Sequence, residues 1–183
     1  EQVPEELAVA LRVARLRVLE ARDAPLAHEQ REHRAHPLNA AERRESLLEP
    51  LALKKPQDAQ LQYALGSVLY MQGLLAEAGA RLRESLRLDA DQVASPYYLA
   101  LVARDQGQNA EAIERLEELL RRYPDHAASC EALGGLLMNG QRYDESERLL
   151  RKAVALNPKS VKANYQLGLL LARTGRKEEA DKQ

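Results

Sequence analysis

The sequence is poor in the residue types on which many folds depend. Among its 183 residues it has no Trp, no Phe and one Cys, and Ile113 is its single isoleucine. A lone cysteine excludes an internal disulfide and a cysteine-based zinc site. The scarcity of β-branched and aromatic residues argues against a sheet. The abundance of Ala, Leu, Arg, Glu and Gln instead predicts an all-α protein with an aliphatic core.

Charge and hydropathy argue against two further classes of protein. The chain has 27 basic and 28 acidic residues, so it lacks the positive excess that is typical of nucleic-acid binding. It also has no apolar run approaching the roughly 18 residues that indicate a transmembrane helix. Arginine outnumbers lysine 20 to 7, which is typical of a GC-rich genome and favours a bacterial source.

An internal repeat with a step of 34 residues dominates the chain. Four leucines, each followed by a small residue, keep this step: Leu65-Gly66, Leu99-Ala100, Leu133-Gly134 and Leu167-Gly168. A second set of small residues, thirteen positions after these leucines, comprises Ala78, Ala112, Ser146 and Ala180. We expect the leucines to form a buried helical stripe and the small residues to mark the place where two helices cross closely.

Glycine and proline divide each unit at the same positions. Glycines separate the two apolar runs of a unit at Gly73, Gly107 and Gly175, where the third unit has Gly140-Gln141. Prolines stand near the unit ends at Pro56, Pro124 and Pro158. Each unit is therefore predicted to be helix, turn and helix. Because one such unit cannot cover its own apolar face, the units must stack.

These landmarks resemble the tetratricopeptide repeat family from about residue 59 to the end. The resemblance implies an all-α right-handed superhelix of stacked helical hairpins, with units that start at 59, 93, 127 and 161 and an incomplete last unit. It also implies a protein-interaction scaffold with a protein or peptide partner, rather than an enzyme. Neither catalytic nor cofactor-binding residues are assigned. The family's first bulky aromatic is absent here, and its position holds Gln62, Pro96, Cys130 and Asn164.

Two local features of the units allow further predictions. Pro96 follows Ser95, which predicts a first helix that starts late, with Ser95 as the N-cap and the proline in the first turn. Cys130 lies on the inner side of a helix with no evident cation beside it, so we expect a buried thiol that packs rather than reacts.

Residues 1–58 are predicted to form N-terminal helices that include a degenerate repeat. Segments 5–22 and 39–53 have the pattern of amphipathic helices, and Asn39 with Glu42 would cap the second of them. In that helix Leu47, Leu48 and Leu51 are expected to face inward, and Pro50 to kink or shorten it.

The polar segment 24–37 is expected to be an exposed helix or a loop. It holds three of the four histidines, and His28 and His33 lie five residues apart. Two histidines that bind one zinc ion from a helix are four residues apart. We therefore predict no metal site in this segment.

In the family that the chain resembles, the first helices of the units line a concave groove. The repeat register assigns to this groove Tyr63, Ser67, Tyr70, Met71, Tyr97, Tyr98, Leu101, Arg104, Glu131, Met138, Asn139, Lys162, Tyr165, Gln166, Leu169 and Arg173. Family members that clamp the acidic tails of chaperones use Lys, Asn and Arg there. This chain has Tyr63, Ser67, Tyr98, Ala128 and Ala132 at those places.

The groove is therefore not expected to be a carboxylate clamp. Its mixed aromatic and polar character suits an extended or helical segment of a protein partner. The same tyrosines are also consistent with ordinary packing, because several stand where the repeat consensus often has Tyr.

Two other functions are compatible with the sequence. The fourth unit stops short of its full length, so the chain would be the accessory region of a larger enzyme, such as a transferase or hydroxylase, that continues after Gln183. Alternatively, an uncovered apolar strip at this C-terminal face would let copies of the chain self-associate end to end.

Overall fold

The computed structural model describes residues 40–180, and this part of the chain is helical without a strand. Its nine helices are α1 (Ala40–Lys54), α2 (Ala59–Met71), α3 (Leu75–Leu88), α4 (Ala94–Asp105), α5 (Asn109–Arg122), α6 (Ala127–Asn139), α7 (Tyr143–Leu156), α8 (Val161–Arg173) and α9 (Lys177–Ala180). The expected helix at 5–22, the segment 24–37 and the cap at Asn39 lie outside the described residues.

The helices form a stack of antiparallel pairs. α2 packs on α3, α4 on α5 and α6 on α7, and each pair also packs on the next along the chain. The first helices of the pairs, α2, α4, α6 and α8, begin at Ala59, Ala94, Ala127 and Val161. In addition, α2 touches α4 and α6 touches α8, so first helices lie side by side on one face of the stack.

The close crossing predicted within the units is confirmed in the first and the third. A Cβ atom on Gly66 would lie 2.8 Å from Cγ of Leu82, and one on Gly134 would lie 2.8 Å from Cγ of Leu150. Both leucines are fully buried. Because a methyl group does not fit at that distance, the small residue sets how closely the two helices of a unit approach.

Three of the residues that replace the family's first aromatic contact the loop before their helix. Gln62 donates its side-chain amide to the carbonyl of Pro56 at 3.1 Å, and Asn164 donates to the carbonyl of Pro158 at 3.0 Å. The thiol of Cys130 points at the equivalent Pro124 carbonyl at 3.9 Å. These polar groups tie each first helix to the loop that precedes it, whereas Pro96 of the second unit has no donor.

The second unit also differs at its helix start. α4 begins at Ala94, close to the predicted position, and Pro96 lies in its first turn as expected. The prediction that Ser95 is the N-cap is wrong, because its hydroxyl is fully buried and bonds to the side chains of Gln92 and Ser85. A buried hydroxyl must find a partner, and here that partner lies across the interface with α3.

Helix α1 departs from the sequence prediction at Leu51. It runs past Pro50 to Lys54 without being shortened. Leu48 is buried, but Leu51 is 43% exposed, so the expectation that Leu51 faces inward is wrong. Ala52 is buried in its place. Residues four apart share a helix face, and the face packed on α2 runs through Leu48 and Ala52.

The turns between paired helices have the same backbone conformation in each unit. Gly73, Gly107 and Gly175 have φ angles of 80°, 80° and 82°. In the third unit this left-handed position belongs to Gln141, with φ 61°, and not to the preceding Gly140. A residue with a Cβ is disfavoured in this conformation, so the third turn is strained where the others are not.

Replacing Gln141 by glycine should therefore stabilise the chain. We expect Gln141→Gly to raise the free energy of unfolding by about 1 kcal/mol, since it removes the left-handed penalty of a residue that has a Cβ. Urea unfolding followed by circular dichroism measures this.

Gln106→Gly is the matched control for this prediction. Gln106 occupies the corresponding turn of the second unit but has φ −83°, so a glycine there should give no gain. Equal stabilisation by both variants would contradict the assignment of strain to Gln141.

Candidate functional site

Four tyrosines from two adjacent first helices form one aromatic cluster. Tyr63 and Tyr70 come from α2, and Tyr97 and Tyr98 from α4. The ring of Tyr98 lies 5.8 Å from that of Tyr63, 5.5 Å from that of Tyr70 and 5.6 Å from that of Tyr97, in each case edge to face. We call these four residues the tyrosine cluster. All four are partly exposed, so the cluster is both packed and accessible.

Helix geometry explains how the cluster forms. Tyr63 and Tyr70 are seven residues apart, which places them two turns apart on the same side of α2. Tyr98 contacts both rings, and all three pack against buried core residues. Edge-to-face rings at these distances attract each other beyond the burial of their surface. The cluster therefore holds its own rings in fixed orientations.

One edge of the cluster is closed by an ion pair. The hydroxyl of Tyr70 donates to Oδ2 of Asp105 at 2.6 Å, and Nη2 of Arg104 donates to that hydroxyl at 3.0 Å. Arg104 also binds Oδ1 of Asp105 through Nε at 2.7 Å. Burial alone would raise the pKa of Asp105, but the hydrogen bonds from Arg104 and Tyr70 outweigh it and hold the pKa below its usual value.

A second ion pair lies on the side of the cluster next to the third unit. Glu131 of α6 is bound by Nζ of Lys162 at 2.8 Å and accepts a hydrogen bond from Ser160 Oγ at 2.8 Å. Burial, with a further contribution from the charge of Glu131, raises the pKa of Tyr97 to about 12. Burial and the neighbouring Tyr98 likewise raise the pKa of Tyr63 to about 12.

Sequence reasoning missed His126, which extends the aromatic surface. Its ring lies 5.4 Å from that of Tyr97, edge to face, and its Nδ1 is 2.7 Å from Ser129 Oγ. Burial lowers the pKa of His126. The repeat register could have indicated this residue. His126 directly precedes α6, just as the N-cap residues Asp58 and Ser160 precede α2 and α8.

The structure places two predicted groove residues in the core instead. Leu101 is 7% exposed and packs with residues of α6, and Met138 is 5% exposed and packs with residues of α7 and α8. The prediction that these two residues line the groove is therefore wrong. The register specifies a helix position, whereas the depth of that position depends on the neighbouring unit.

The other predicted residues remain at the surface to different degrees. Half-buried ones are Ser67, Glu131, Gln166 and Leu169, and exposed ones are Met71, Asn139, Lys162, Tyr165 and Arg173. Ser67 donates its hydroxyl to the carbonyl of Ala64 in its own helix. Gln166 lies against Gly135, where a Cβ atom would be 2.6 Å from Gln166 Nε2.

Tyr165 belongs to a separate apolar surface at the far end of the stack. Tyr165 is 69% exposed and Val161 is 83% exposed, and both line a depression of about 660 Å³ together with Leu169 and Ala180. No ring contact links Tyr165 to the tyrosine cluster among residues 40–180. The repeat register therefore assigned Tyr165 and the tyrosine cluster to one groove, whereas in the structure they belong to two separate surfaces.

Residues 40–180 include one free thiol, that of Cys130. No group of His, Cys, Asp and Glu side chains there is arranged to hold a metal ion. Cys130 is buried as predicted, and burial raises the pKa of its thiol. None of the described helices is both long and apolar enough to span a membrane.

The raised pKa values in the tyrosine cluster predict a dependence of stability on alkaline pH. Folding favours the protonated hydroxyls of Tyr63 and Tyr97, whose pKa values are about 12 in the folded chain, against about 10 when unfolded. Their contribution is complete below pH 10 and is lost as the pH rises towards 12. The free energy of unfolding should therefore fall across this range.

Ultraviolet titration of tyrosinate measures the same effect directly. The folded chain should show tyrosines that ionise later than those of the urea-unfolded chain, and Tyr63→Phe should remove one late-ionising group. Identical titration curves for the folded and unfolded chains would contradict the burial of these hydroxyls.

Comparison with protein families finds one family over most of the described residues. A tetratricopeptide repeat model matches residues 38–93 and 132–180, and a second tetratricopeptide repeat model matches residues 103–153. The first match includes α1. No curated protein sequence matches the chain significantly.

Solved structures share the fold at low sequence identity. MamA from Desulfovibrio magneticus RS-1 is 18% identical, with a TM-score of 0.66 over 99% of this chain and 92% of its own. PilF from Pseudomonas aeruginosa is 16% identical, with a TM-score of 0.72 over 97% of this chain and 73% of its own. YrrB, a TPR protein with an unusual peptide-binding site, is 20% identical, with a TM-score of 0.58 over 78% of this chain and 73% of its own.

The 34-residue register, the stacked helical pairs and these matches lead to the same assignment. The chain belongs to the tetratricopeptide repeat family and has its right-handed solenoid fold, which supports a role as a protein-interaction scaffold.

Proposed function

We propose that the face formed by the first helices binds a segment of a protein partner, with the tyrosine cluster at its centre. One observation carries the proposal. Four tyrosine rings from two helices are fixed against one another yet remain partly exposed. Tyrosine contributes a large contact area together with a polar hydroxyl, and it is enriched at protein interfaces. YrrB, which shares the fold, supports the proposal as a TPR protein that binds peptide.

The geometry favours binding over chemical turnover. Arg104 and Asp105 are engaged with each other and with Tyr70, and Lys162 and Glu131 are engaged with each other. Ion pairs of this kind hold side chains in place rather than leave one free to transfer a proton. Rings that are already ordered lose little rotamer freedom when a partner binds. The role proposed for this surface is recognition without catalysis.

The proposed surface extends outward from the tyrosine cluster. It includes the surrounding first-helix residues Ser67, Met71, Arg104, Asn139, Lys162, Gln166 and Arg173, with His126 added and with Leu101 and Met138 left out. We further propose that α1 is the second helix of a degenerate repeat within residues 1–58, which would extend the array towards the N-terminus.

Substitution at one register position tests the proposal with little risk to the fold. Tyr63, Tyr97 and Glu131 occupy equivalent places in successive units, so a flexible polar side chain is compatible with the fold there. The variant Tyr63→Gln with Tyr97→Gln should fold and should lose the capture of a partner from cell extract. Affinity capture followed by mass spectrometry measures the loss.

The matched control removes two apolar side chains elsewhere on the surface. Leu74 and Leu156 are 40% and 39% exposed and lie outside the first helices. The variant Leu74→Gln with Leu156→Gln should capture the partner as the unaltered chain does. If the control loses the partner and the tyrosine variant retains it, the binding surface lies outside the cluster and the proposal is wrong.

A second proposal is self-association through the apolar end of the stack. Val161 and Tyr165 are the most exposed large apolar residues of α8, and they flank the depression described above. Exposed apolar side chains that lie together offer a surface on which a partner can pack. End-to-end contact between copies would cover it.

Light scattering coupled to gel filtration tests self-association. The chain should show a mass that rises with concentration, and Val161→Asp with Tyr165→Asp should return it to the monomer mass. A monomer of the unaltered chain at every concentration would exclude this second role and leave the first untouched.

A further inference from the structure

We propose that the second unit has a binding site for a primary carboxamide, the group that ends an asparagine or glutamine side chain. The site is a cavity of about 100 Å³ between α3, α5 and the first turn of α4. Leu86, Pro96, Arg115 and Tyr123 are among the residues that line it. This inference goes beyond the proposed function, because none of the lining residues belongs to the tyrosine cluster.

The first unit shows what the equivalent place holds when a side chain fills it. Gln62 is buried there, and its carboxamide is bonded at both ends. Its Nε2 donates to the carbonyl of Pro56 at 3.1 Å, and its Oε1 accepts from Nη1 of Arg81 at 3.4 Å. A carboxamide therefore fits between this carbonyl and this guanidinium in the repeat.

The second unit keeps the partners of that carboxamide but lacks the carboxamide itself. The positions of Gln62, Pro56 and Arg81 are held 34 residues later by Pro96, Ala90 and Arg115. Proline is shorter than glutamine and its ring carries no donor. Pro96 is only partly buried, and the cavity lies beside it. The cavity is thus the place that the end of Gln62 occupies in the first unit.

The two partners still have hydrogen-bonding capacity for such a group. Arg115 binds Glu111 through Nε at 2.9 Å and through Nη2 at 2.7 Å. These bonds do not use Nη1, the atom with which Arg81 holds Gln62. The carbonyl of Ala90 is approached by an arginine nitrogen at 3.5 Å, which is long for a hydrogen bond, and a carbonyl accepts two bonds.

A buried donor at the wall of the cavity also lacks an acceptor. The side chain of Gln92 is 9% exposed and lines the cavity. Its Oε1 is bonded to the hydroxyl of Ser85 at 2.7 Å, whereas its Nε2 has no hydrogen-bond partner in the described part of the chain. Leaving a buried N–H unpaired is unfavourable. The oxygen of a bound carboxamide would bring an acceptor to this side of the cavity.

The charges around the cavity favour a neutral carboxamide over a carboxylate. The two arginines of the wall are already paired with acidic residues, and Glu118 on the same wall would repel a second anion. A carboxylate also has no donor for the carbonyl of Ala90, whereas a carboxamide has both a donor and an acceptor. The group that matches the cavity is therefore uncharged and bonds through both ends.

NMR titration of the isotope-labelled chain with three small probes tests the inference. Propionamide has a donor and an acceptor, butanone has an acceptor alone, and propionate has acceptors with a negative charge. We expect propionamide to shift the side-chain amide signals of Gln92 and to bind at least tenfold more tightly than the other two probes. Equal binding of all three probes, or propionamide that leaves the Gln92 signals in place, would overturn the inference.

Two substitutions of Pro96 form a matched pair. Pro96→Gln introduces the glutamine of the first unit, so it should fill the cavity and abolish the binding of propionamide. Pro96→Ala removes the same ring but leaves the cavity open, so it should retain the binding. Circular dichroism checks the fold of both variants. If both bind propionamide or neither does, filling of the cavity does not control binding and the inference is wrong.

The reciprocal substitution tests the comparison with the first unit. Gln62→Ala removes the carboxamide that Arg81 and the Pro56 carbonyl hold, so it should lower the melting temperature. Propionamide should recover part of that loss by binding in the vacated place, and propionate should not. Recovery by neither probe, or by both to the same extent, would contradict the selection of a carboxamide by these groups.

A pair of capped tripeptides identifies the source of the carboxamide. One has glutamine between two glycines and the other has glutamate, and a methylamide cap on each avoids a second primary carboxamide. Binding of the glutamine peptide at Gln92, without binding of the glutamate peptide, assigns the cavity to a side chain of a protein partner. Binding of propionamide alone assigns it to a free small amide. Binding of the glutamate peptide as tightly as the glutamine peptide would overturn the inference.

Discussion

The close approach of the two helices within each unit is the constraint on which the rest of the structure depends. Gly66 and Gly134 leave room for no more than a hydrogen atom opposite the buried leucines Leu82 and Leu150. Within this packing the first helix α2 contacts α4, and α6 contacts α8. A larger residue at these glycines would separate the helices and shift every later unit of the stack.

This side-by-side arrangement of first helices creates the tyrosine cluster. Residues 35 apart in sequence, such as Tyr70 and Asp105, come within hydrogen-bond distance only because successive units are stacked with a constant offset. Aromatic contacts and the Tyr70–Asp105 hydrogen bond cross the boundary between the first and second units, and the Glu131–Lys162 pair crosses the one between the third and fourth. The result is a surface whose rings and charges are ordered before any partner arrives, which favours recognition.

The repeat register made most of the fold predictable and only part of the site. Positions of Leu, Gly and Pro at a constant step are sufficient to locate the helices, the crossings and the turns. The burial of a side chain is a different property, because it depends on which side chain of the neighbouring unit packs against it. Leu101 and Met138 share a register with surface residues yet are buried by α6, α7 and α8. Serine is a common N-cap residue, but the hydroxyl of Ser95 instead bonds to the side chain of Gln92. His126 joins the cluster through Tyr97, a contact between the N-cap of α6 and helix α4.

Site-specific photo-crosslinking tests most directly whether the first-helix face is the binding surface. A photoreactive amino acid at Met71, which is 45% exposed in α2, lies next to Tyr70 without disturbing the cluster. The same group at Leu156, at the end of α7, reports on the outer face. Irradiation in source-cell extract should join a partner to position 71 and not to position 156. A partner joined to position 156 alone would contradict the account.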